Sequence, residues 1–252
     1  MKKSKQILAG IIVIVAFSLT SCRSTPPKEL QQKAEQGDRY AEYLMGKFYE
    51  EKCRKSFSGE DNVLSLEWYE KAADQGLDSA QFEIGRYYYH NLNHDIAIDY
   101  LLRAAEQGHG RAQYYLGMHY HHYEYEDYEK AAYWTKKSAS QNNTNGQRFY
   151  AYLLFLGDGV EQNTDSAMYY MRLSANNVQD EGIYSQVCGA DWLGDIFLFG
   201  EYDIPINLDS AIYYWQKVPK SLFVYDDAQK KIKYVRKYGY KAIPYIEKEM
   251  GL

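Results

Sequence analysis

Five times along its 252 residues the chain repeats one pattern of small, apolar and aromatic residues. The clearest copy reads Lys71-Ala72-Ala73-Asp74-Gln75-Gly76, then Ala80, then Ile84-Gly85 and Tyr88. The next reads Arg103-Ala104-Ala105-Glu106-Gln107-Gly108, then Ala112, then Leu116-Gly117 and Tyr120. The small residue at one phase of each copy is Gly46, Gly85, Gly117, Ala151 or Gly194, and subtracting neighbours gives steps of 39, 32, 34 and 43 residues. That is the length of a helix pair in a solenoid. A unit this short cannot bury its apolar face alone, so copies must stack on one another, which leaves a long surface for partners.

Each copy holds two amphipathic stretches. In the first, Ala80, Ile84 and Tyr88 recur at i, i+4 and i+8, one stripe of a helix, as do Ala112, Leu116 and Tyr120, and Ala41, Met45 and Tyr49. In the second the stripe is Ala97, Tyr100, Leu101 and Ala104, repeated as Ala131, Trp134 and Ser138, as Ala167, Tyr170 and Ser174, and as Ala211, Tyr214 and Val218. A glycine inside a helix costs about 1 kcal/mol against alanine, so its recurrence at one phase predicts a close crossing of two helix backbones. By phase, Tyr88, Tyr120, Tyr170 and Tyr214 are expected in the core. The second helices are expected to end at Gly37, Gly76, Gly108 and Asn142, residue types that tolerate the left-handed conformation after a helix.

These residues resemble the Sel-one-like repeat family, a branch of the tetratricopeptide superfamily. Ser65-Leu66-Glu67-Trp68-Tyr69-Glu70-Lys71-Ala72-Ala73-Asp74-Gln75-Gly76 is similar to the second half of that family's repeat, and Gly157-Asp158-Gly159-Val160 to the loop that ends the first half. The resemblance covers roughly residues 31–220 and implies an all-α fold: a right-handed α/α solenoid of about five hairpins with a C-terminal capping helix. The fourth copy departs with Gly146 and Ala151 in exchanged places, and the fifth has Val218-Pro219 where Ala-Ala is expected; Pro219 should end that helix early. Inserts at 53–63 and 177–187 are expected as loops or changes of stacking angle. Residues 222–237 read as the capping helix, with Leu222, Val224, Ala228, Ile232 and Val235 inward and Gln229, Lys230, Lys231, Lys233, Arg236 and Lys237 on its other sides. Ile243, Tyr245 and Ile246 suggest a last short helix over it.

The first residues read as an address rather than as structure. Lys2, Lys3 and Lys5 precede an apolar run from Ile7 to Leu19 that ends in Leu19-Thr20-Ser21-Cys22. The run is too short to span a bilayer as a mature helix. It resembles a bacterial lipoprotein signal, cut before a cysteine that then carries the lipid; the competing reading is an ordinary secretory signal with a chance cysteine. The chain therefore divides into a signal peptide (1–21), a lipidated tether (22–30), the repeat solenoid (31–220) and a capping helix and tail (221–252). Several acyl chains on Cys22 would hold the protein on a membrane stably. Arg23 follows the cysteine where an Asp would argue for inner-membrane retention, so the expected place is the outer membrane, facing the periplasm.

The formal net charge is -5, and removing the three signal lysines (-5 minus 3) leaves -8. An acidic chain without a basic stripe argues against a nucleic-acid partner. The remaining cysteines, Cys53 and Cys188, fall in the first and fifth copies, too far apart to bridge within one solenoid. Some secreted relatives in the resembled family carry a disulfide in every repeat, and some of those are linked to penicillin binding; this chain lacks the cysteine pairs, so that activity does not carry over.

Tyrosine is abundant, 28 of 252 residues. By resemblance to tetratricopeptide units, one face of the first helices lines a concave groove. That face would carry Tyr43 with Lys47; Phe82, Arg86, Tyr89 and His90; Tyr114, Met118, His121 and His122; and Arg148, Tyr152 and Phe155. Tyrosine and arginine dominate binding hot spots, each worth about 2 kcal/mol or more when well buried, so the groove suits an extended peptide or a partner helix. The alternative is that these rings pack against the next repeat. His119, His121 and His122 cluster, and His90 shares the phase of His122, but a zinc site needs three or four ligands in firm geometry, and no metal site or cofactor is expected. Phosphate loops, zinc-type Cys or His pairs and serine elbows are absent. Glu124-Tyr125-Glu126-Asp127 reads as solvated, whereas an acid/base pair needs a shielded carboxyl. The sequence thus points to a monomeric, non-enzymatic scaffold for a protein or peptide partner, touching the membrane only through its lipid. The resemblance leaves open an immunity protein that neutralises a secreted toxin; a cell-wall hydrolase is the remaining reading.

Overall fold

The computed structural model describes residues 25–56, 59–122, 125–176, 189–218, 220 and 224–250. The signal segment, Cys22, the insert at 177–187, Cys188 and Pro219 lie outside the described residues. Among those described there is no strand, and no helix is long and apolar enough to cross a membrane. The chain divides into two compact units, residues up to Ile84 and residues from Gly85 onward.

The first unit holds α1 (Lys28–Glu35), α2 (Arg39–Ser56), α3 (Gly59–Asp74) and the start of α4 (Asp78–His90). Leu30 and Ala34 of α1 pack with Ala41 and Met45 of α2, so helix begins three residues inside the segment read as tether. Of the insert at 53–63, residues up to Ser56 continue α2 and residues from Gly59 open α3, with Lys52 Nζ 2.8 Å from Asp61 Oδ1 between the two helices.

The second unit continues through α5 (His94–Glu106), α6 (Gly110–His121), α7 (Tyr128–Ser140), α8 (Thr144–Leu156), α9 (Thr164–Asn176), α10 (Gly189–Phe199), α11 (Leu208–Trp215), α12 (Tyr225–Tyr238) and α13 (Ile243–Met250). Hairpins pair α2 with α3, α6 with α7, α8 with α9 and α10 with α11.

The helix ends follow the expected chemistry. Gly37, Gly76, Gly108 and Asn142 have φ of 83°, 78°, 95° and 61°, the left-handed turn that lets the last carbonyls find donors. The next residue serves both sides of the turn. His109 N donates to Ala104 O at 3.0 Å, and its ring Nδ1 accepts from Ala112 N to cap α6. Asn143 does the same, donating to Ser138 O and accepting from Gly146 N at 2.8 Å.

The recurring small residues mark the close crossings. A Cβ added at Gly46 would lie 2.5 Å from Tyr69, at Gly85 2.8 Å from Leu101, at Gly117 2.3 Å from Thr135 and at Gly194 2.2 Å from Trp215. Leu101, Thr135 and Trp215 each stand four residues after the first residue of their second-helix stripe, and Tyr69 stands four after Ser65. The exchange in the fourth copy also has a packing reason. Where earlier copies set Ala72 before Ala80 and Ala104 before Ala112, this one sets Ser138 against Gly146, whose added Cβ would lie 2.3 Å from Ser138 Oγ. Ser174 and Gly189 repeat the exchange at 2.7 Å.

Two expectations about burial need correction. Tyr88, Tyr120, Tyr170 and Tyr214 are only half-buried. They lie at the margin of the core, as Tyr170 does edge-on against Tyr150 and Tyr214 does in its stack on Phe197. The fully buried rings are Phe82, Phe155 and Trp215. The second correction is Lys231, which does not join the outer face of the capping helix: it is 5% exposed. Its Nζ lies 2.7 and 2.8 Å from the two carboxylate oxygens of Asp195 and 3.5 Å from Asp191 Oδ1, and 5.5 Å from the centre of the Trp215 ring. Trp215 Nε1 donates to Asp195 Oδ1 at 3.1 Å. The buried Asp191 and half-buried Asp195 carboxylates on one face of α10 therefore require the cation that the sequence pattern assigned to water. The cap's inward face otherwise runs as expected, through Ala228, Ile232 and Val235.

Candidate partner-binding face

The first-helix face of the second unit carries a ladder of rings that passes from one helix to the next. Tyr89 meets Tyr115 edge-on with centroids 5.2 Å apart, and Tyr115 meets its neighbour Tyr114 at 5.8 Å. Tyr114 meets Phe149 of α8 at 6.2 Å, and Phe149 stacks on Tyr152 at 6.0 Å. Tyr152 reaches Trp192 of α10 at 5.8 Å. Tyr89, Tyr114, Phe149, Tyr152 and Trp192 are all half-buried: each braces the next repeat and still keeps an open side. Packing and exposure are thus properties of the same rings. Edge-to-face pairs of this kind add about 0.5–1.5 kcal/mol beyond area burial, so the surface is ordered before any partner arrives.

His121 enters the same ladder. Its ring lies 5.3 Å from Phe149 and 5.8 Å from Tyr152, and its Nε2 is 3.1 Å from Asp158 Oδ2. Arg148 is half-buried and its guanidinium donates to Asn145 Oδ1 at 3.2 Å. Met118 and Arg86 are half-buried. In the first unit Tyr43 is half-buried beside Tyr69, with Lys47 Nζ 5.7 Å from its ring centre.

Phe82 and Phe155 leave the set of surface candidates, because each is 1% exposed and belongs to the core. Phase alone does not decide this, since Phe82 shares its helix phase with Tyr114 and Phe155 with Tyr89, both of which stay half-buried. Residues three after Ala112, Gly146 and Gly189 (Tyr115, Phe149 and Trp192) also build the ladder. Phe149 and Trp192 stand one position beyond the phase of Tyr114 and so fell outside the expected face.

The histidines divide differently from their sequence grouping. His90, His94, His119 and His122 line a cleft of about 260 Å³ together with Tyr89, Leu92 and Tyr125, while His121 belongs to the ring ladder. His94, which no motif marks, opens α5 and reaches the cleft through the hairpin turn. No group of three His, Cys, Asp or Glu side chains among the described residues could hold a metal ion. Burial, reinforced by the rings of His94 and His122, lowers the His119 pKa to about 4. Burial, then Arg86, also lowers that of His90. Tyr89 is pushed up to about 12, chiefly by burial, so it stays a neutral hydroxyl.

A second surface was not visible in the motif pattern. Tyr133, Tyr169 and Tyr213 occupy one phase of three successive second helices and are 52%, 58% and 53% exposed. Lys137 Nζ lies 4.4 Å from the Tyr133 ring centre and Lys217 Nζ 4.7 Å from that of Tyr213.

These features define a helical-hairpin repeat protein. The family model of the Sel1 repeat matches residues 39–77, 78–109, 110–143, 144–177 and 190–217, and the chain belongs to that family. Sel1 repeat proteins generally mediate protein–protein interactions and are typically non-enzymatic. The fold is similar to the crystal structure of a Sel1 repeat protein from Oxalobacter formigenes, with 23% identity, TM-score 0.64 and coverage of 76% of this chain and 75% of that one. It is also similar to a protective antigen present in uropathogenic Escherichia coli strains, at 23% identity and TM-score 0.65, covering 87% of this chain but 50% of that one. No curated protein matches the chain.

Proposed function

We propose that the protein is a monomeric, non-enzymatic scaffold that binds a protein or peptide partner through the ring ladder. It is held on the bacterial envelope by a lipid on Cys22, at the outer membrane facing the periplasm. The observation that carries this reading is the ladder itself: Tyr89, Tyr114, Phe149, Tyr152 and Trp192 are locked by one another yet open on one side. Rings already fixed lose little conformational entropy on binding. The row of exposed Tyr133, Tyr169 and Tyr213 favours a second reading, in which the partner docks on the second-helix face.

A crosslinking pulldown from intact cells separates the two. It compares wild type with Tyr89→Ala/Tyr114→Ala and with Tyr133→Ala/Tyr169→Ala/Tyr213→Ala, each checked for folding by circular dichroism. One dominant partner lost only in the first variant supports the ladder, and loss only in the second supports the outer row. If that partner is a secreted toxin, the protein is an immunity protein; if neither variant changes the captured set, both readings fail. Cys22→Ser should release the protein from membranes, and retention of that variant would refute the lipid anchor.

A further inference from the structure

The cleft beside the ladder has a chemistry that the scaffold reading does not use. His94 and His119 face each other with ring centroids 5.9 Å apart. Tyr125 covers His119 at 4.0 Å, and Tyr89 stands edge-on to His94 at 5.3 Å. His94 Nδ1 is buried without a hydrogen-bond partner among the described residues. Buried ring nitrogens ordinarily find a hydrogen-bond partner, so this one marks the cleft wall as polar and unsatisfied.

We propose that this cleft binds a carboxylate group and takes up a proton as it does so. Four imidazoles and two phenol rings line it, and no acidic side chain does so among the described residues. The groups facing His119 are the imidazoles of His94 and His122 and the rings of Tyr120 and Tyr125. Arg86, acting on His90, is the charged side chain nearest in effect. Every one of these is neutral or cationic. Burial and mutual repulsion keep His119 uncharged at neutral pH. An entering carboxylate supplies the missing counter-charge, so an imidazole accepts a proton from solvent and donates it in a charge-assisted hydrogen bond to the ligand oxygen. Tyr89, Tyr125 and Leu92 offer ring faces and an apolar wall for whatever carries that group. Among the described residues no trio of ligands converges to hold a metal ion.

The carboxylate could belong to a free small acid or to a peptide, and the test distinguishes them. The full chain, purified in detergent with ¹⁵N-labelled histidine, is titrated with benzoate, with the blocked dipeptide acetyl-tyrosyl-glutamyl amide and with neutral benzamide. The readout is the imidazole nitrogen shifts between pH 5.5 and 7.5. The inference expects saturable shifts at His94 and His119 with a carboxylate and none with benzamide. Affinity should rise about tenfold per unit fall in pH where one proton is taken up. His94→Phe and His119→Phe, shown folded by circular dichroism, should lose that pH dependence. Binding of benzoate alone assigns a free acid; binding of the dipeptide as well assigns a peptide side chain. Equal response to benzamide, affinity independent of pH, or saturable zinc binding with no response to either carboxylate would overturn it. None of these outcomes depends on capturing a protein partner, so the two proposals fail separately.

Discussion

The crossing of Gly117 with Thr135 permits a quantitative test of the packing argument. A Cβ at residue 117 would sit 2.3 Å from Thr135 Cγ2, while its next contacts are 3.3 Å to Ala131 O and 3.5 Å to Thr135 Cβ. The obstacle is therefore one methyl group. Thr135 cannot swing it aside, because the residue is 0% exposed and its hydroxyl donates to Ala131 O at 2.7 Å. Gly117→Ala should cost about 1–3 kcal/mol of overpacking, offset by about 1 kcal/mol of helix propensity, a net loss of about 1 kcal/mol. Thr135→Ser keeps the hydroxyl and deletes the methyl, at about 1 kcal/mol. Together the two changes move a methyl from one helix to the other within the same space, so the double variant should return to about wild-type stability. The expected coupling is about 2 kcal/mol. Urea denaturation followed by helical circular dichroism measures it, provided the four m-values agree. Additive losses, with coupling below about 0.5 kcal/mol, would refute the close-crossing explanation of the repeat's small residue.

Further outcomes follow from other sites. Burial, with the neighbouring Asp195 carboxylate adding to it, holds the Asp191 pKa at about 6, above its usual 3.8, against the opposing pull of the Lys231 ammonium. The folded state thus keeps this proton more tightly, and stability from Asp191 should fall by about 3 kcal/mol as pH rises from 4 to 7; Asp191→Asn should flatten that slope in urea titrations at a series of pH values. His119 has the opposite sign: its lowered pKa means that the unfolded chain binds the proton first, so its contribution is lost as pH falls from about 6.5 toward 4, and His119→Phe should remove that loss. Lys231→Met leaves the buried Asp191 and half-buried Asp195 without their cation and should cost about 3–5 kcal/mol, read as a lower urea midpoint. Gly108→Ala meets nothing within 4 Å but must hold φ at +95°, so it should lose about 1 kcal/mol from strain alone.

The periodic part of the fold was legible because its chemistry is local. The left-handed ends at Gly37, Gly76, Gly108 and Asn142 and the crossing residues Gly46, Gly85, Gly117 and Gly194 each announce a backbone constraint by residue type. The site was legible only in part. Phe82 and Phe155 share helix phase with Tyr114 and Tyr89, so phase alone did not mark their burial, and Phe149 and Trp192 stand one position beyond the expected face. Lys231 was misplaced because its burial depends on Asp191 and Asp195, roughly forty positions earlier in the chain, a relation no local pattern records. His94 went unmarked for a similar reason: it meets His119 only after two hairpins have stacked.

The exchange of bulk between Ser138 and Gly146, repeated by Ser174 and Gly189, bears on how such a gene can grow. A duplication whose breakpoint falls in the short turn between Ser138 and Gly146 would set a serine against an alanine at clashing distance, or an alanine against a glycine across a void. A breakpoint inside a hairpin is better tolerated, since glycine on the first helix accepts Tyr69, Leu101, Thr135 or Trp215 alike. Bulk is therefore matched across the junction between hairpins as well as within them: a second helix and the first helix that follows it must change together.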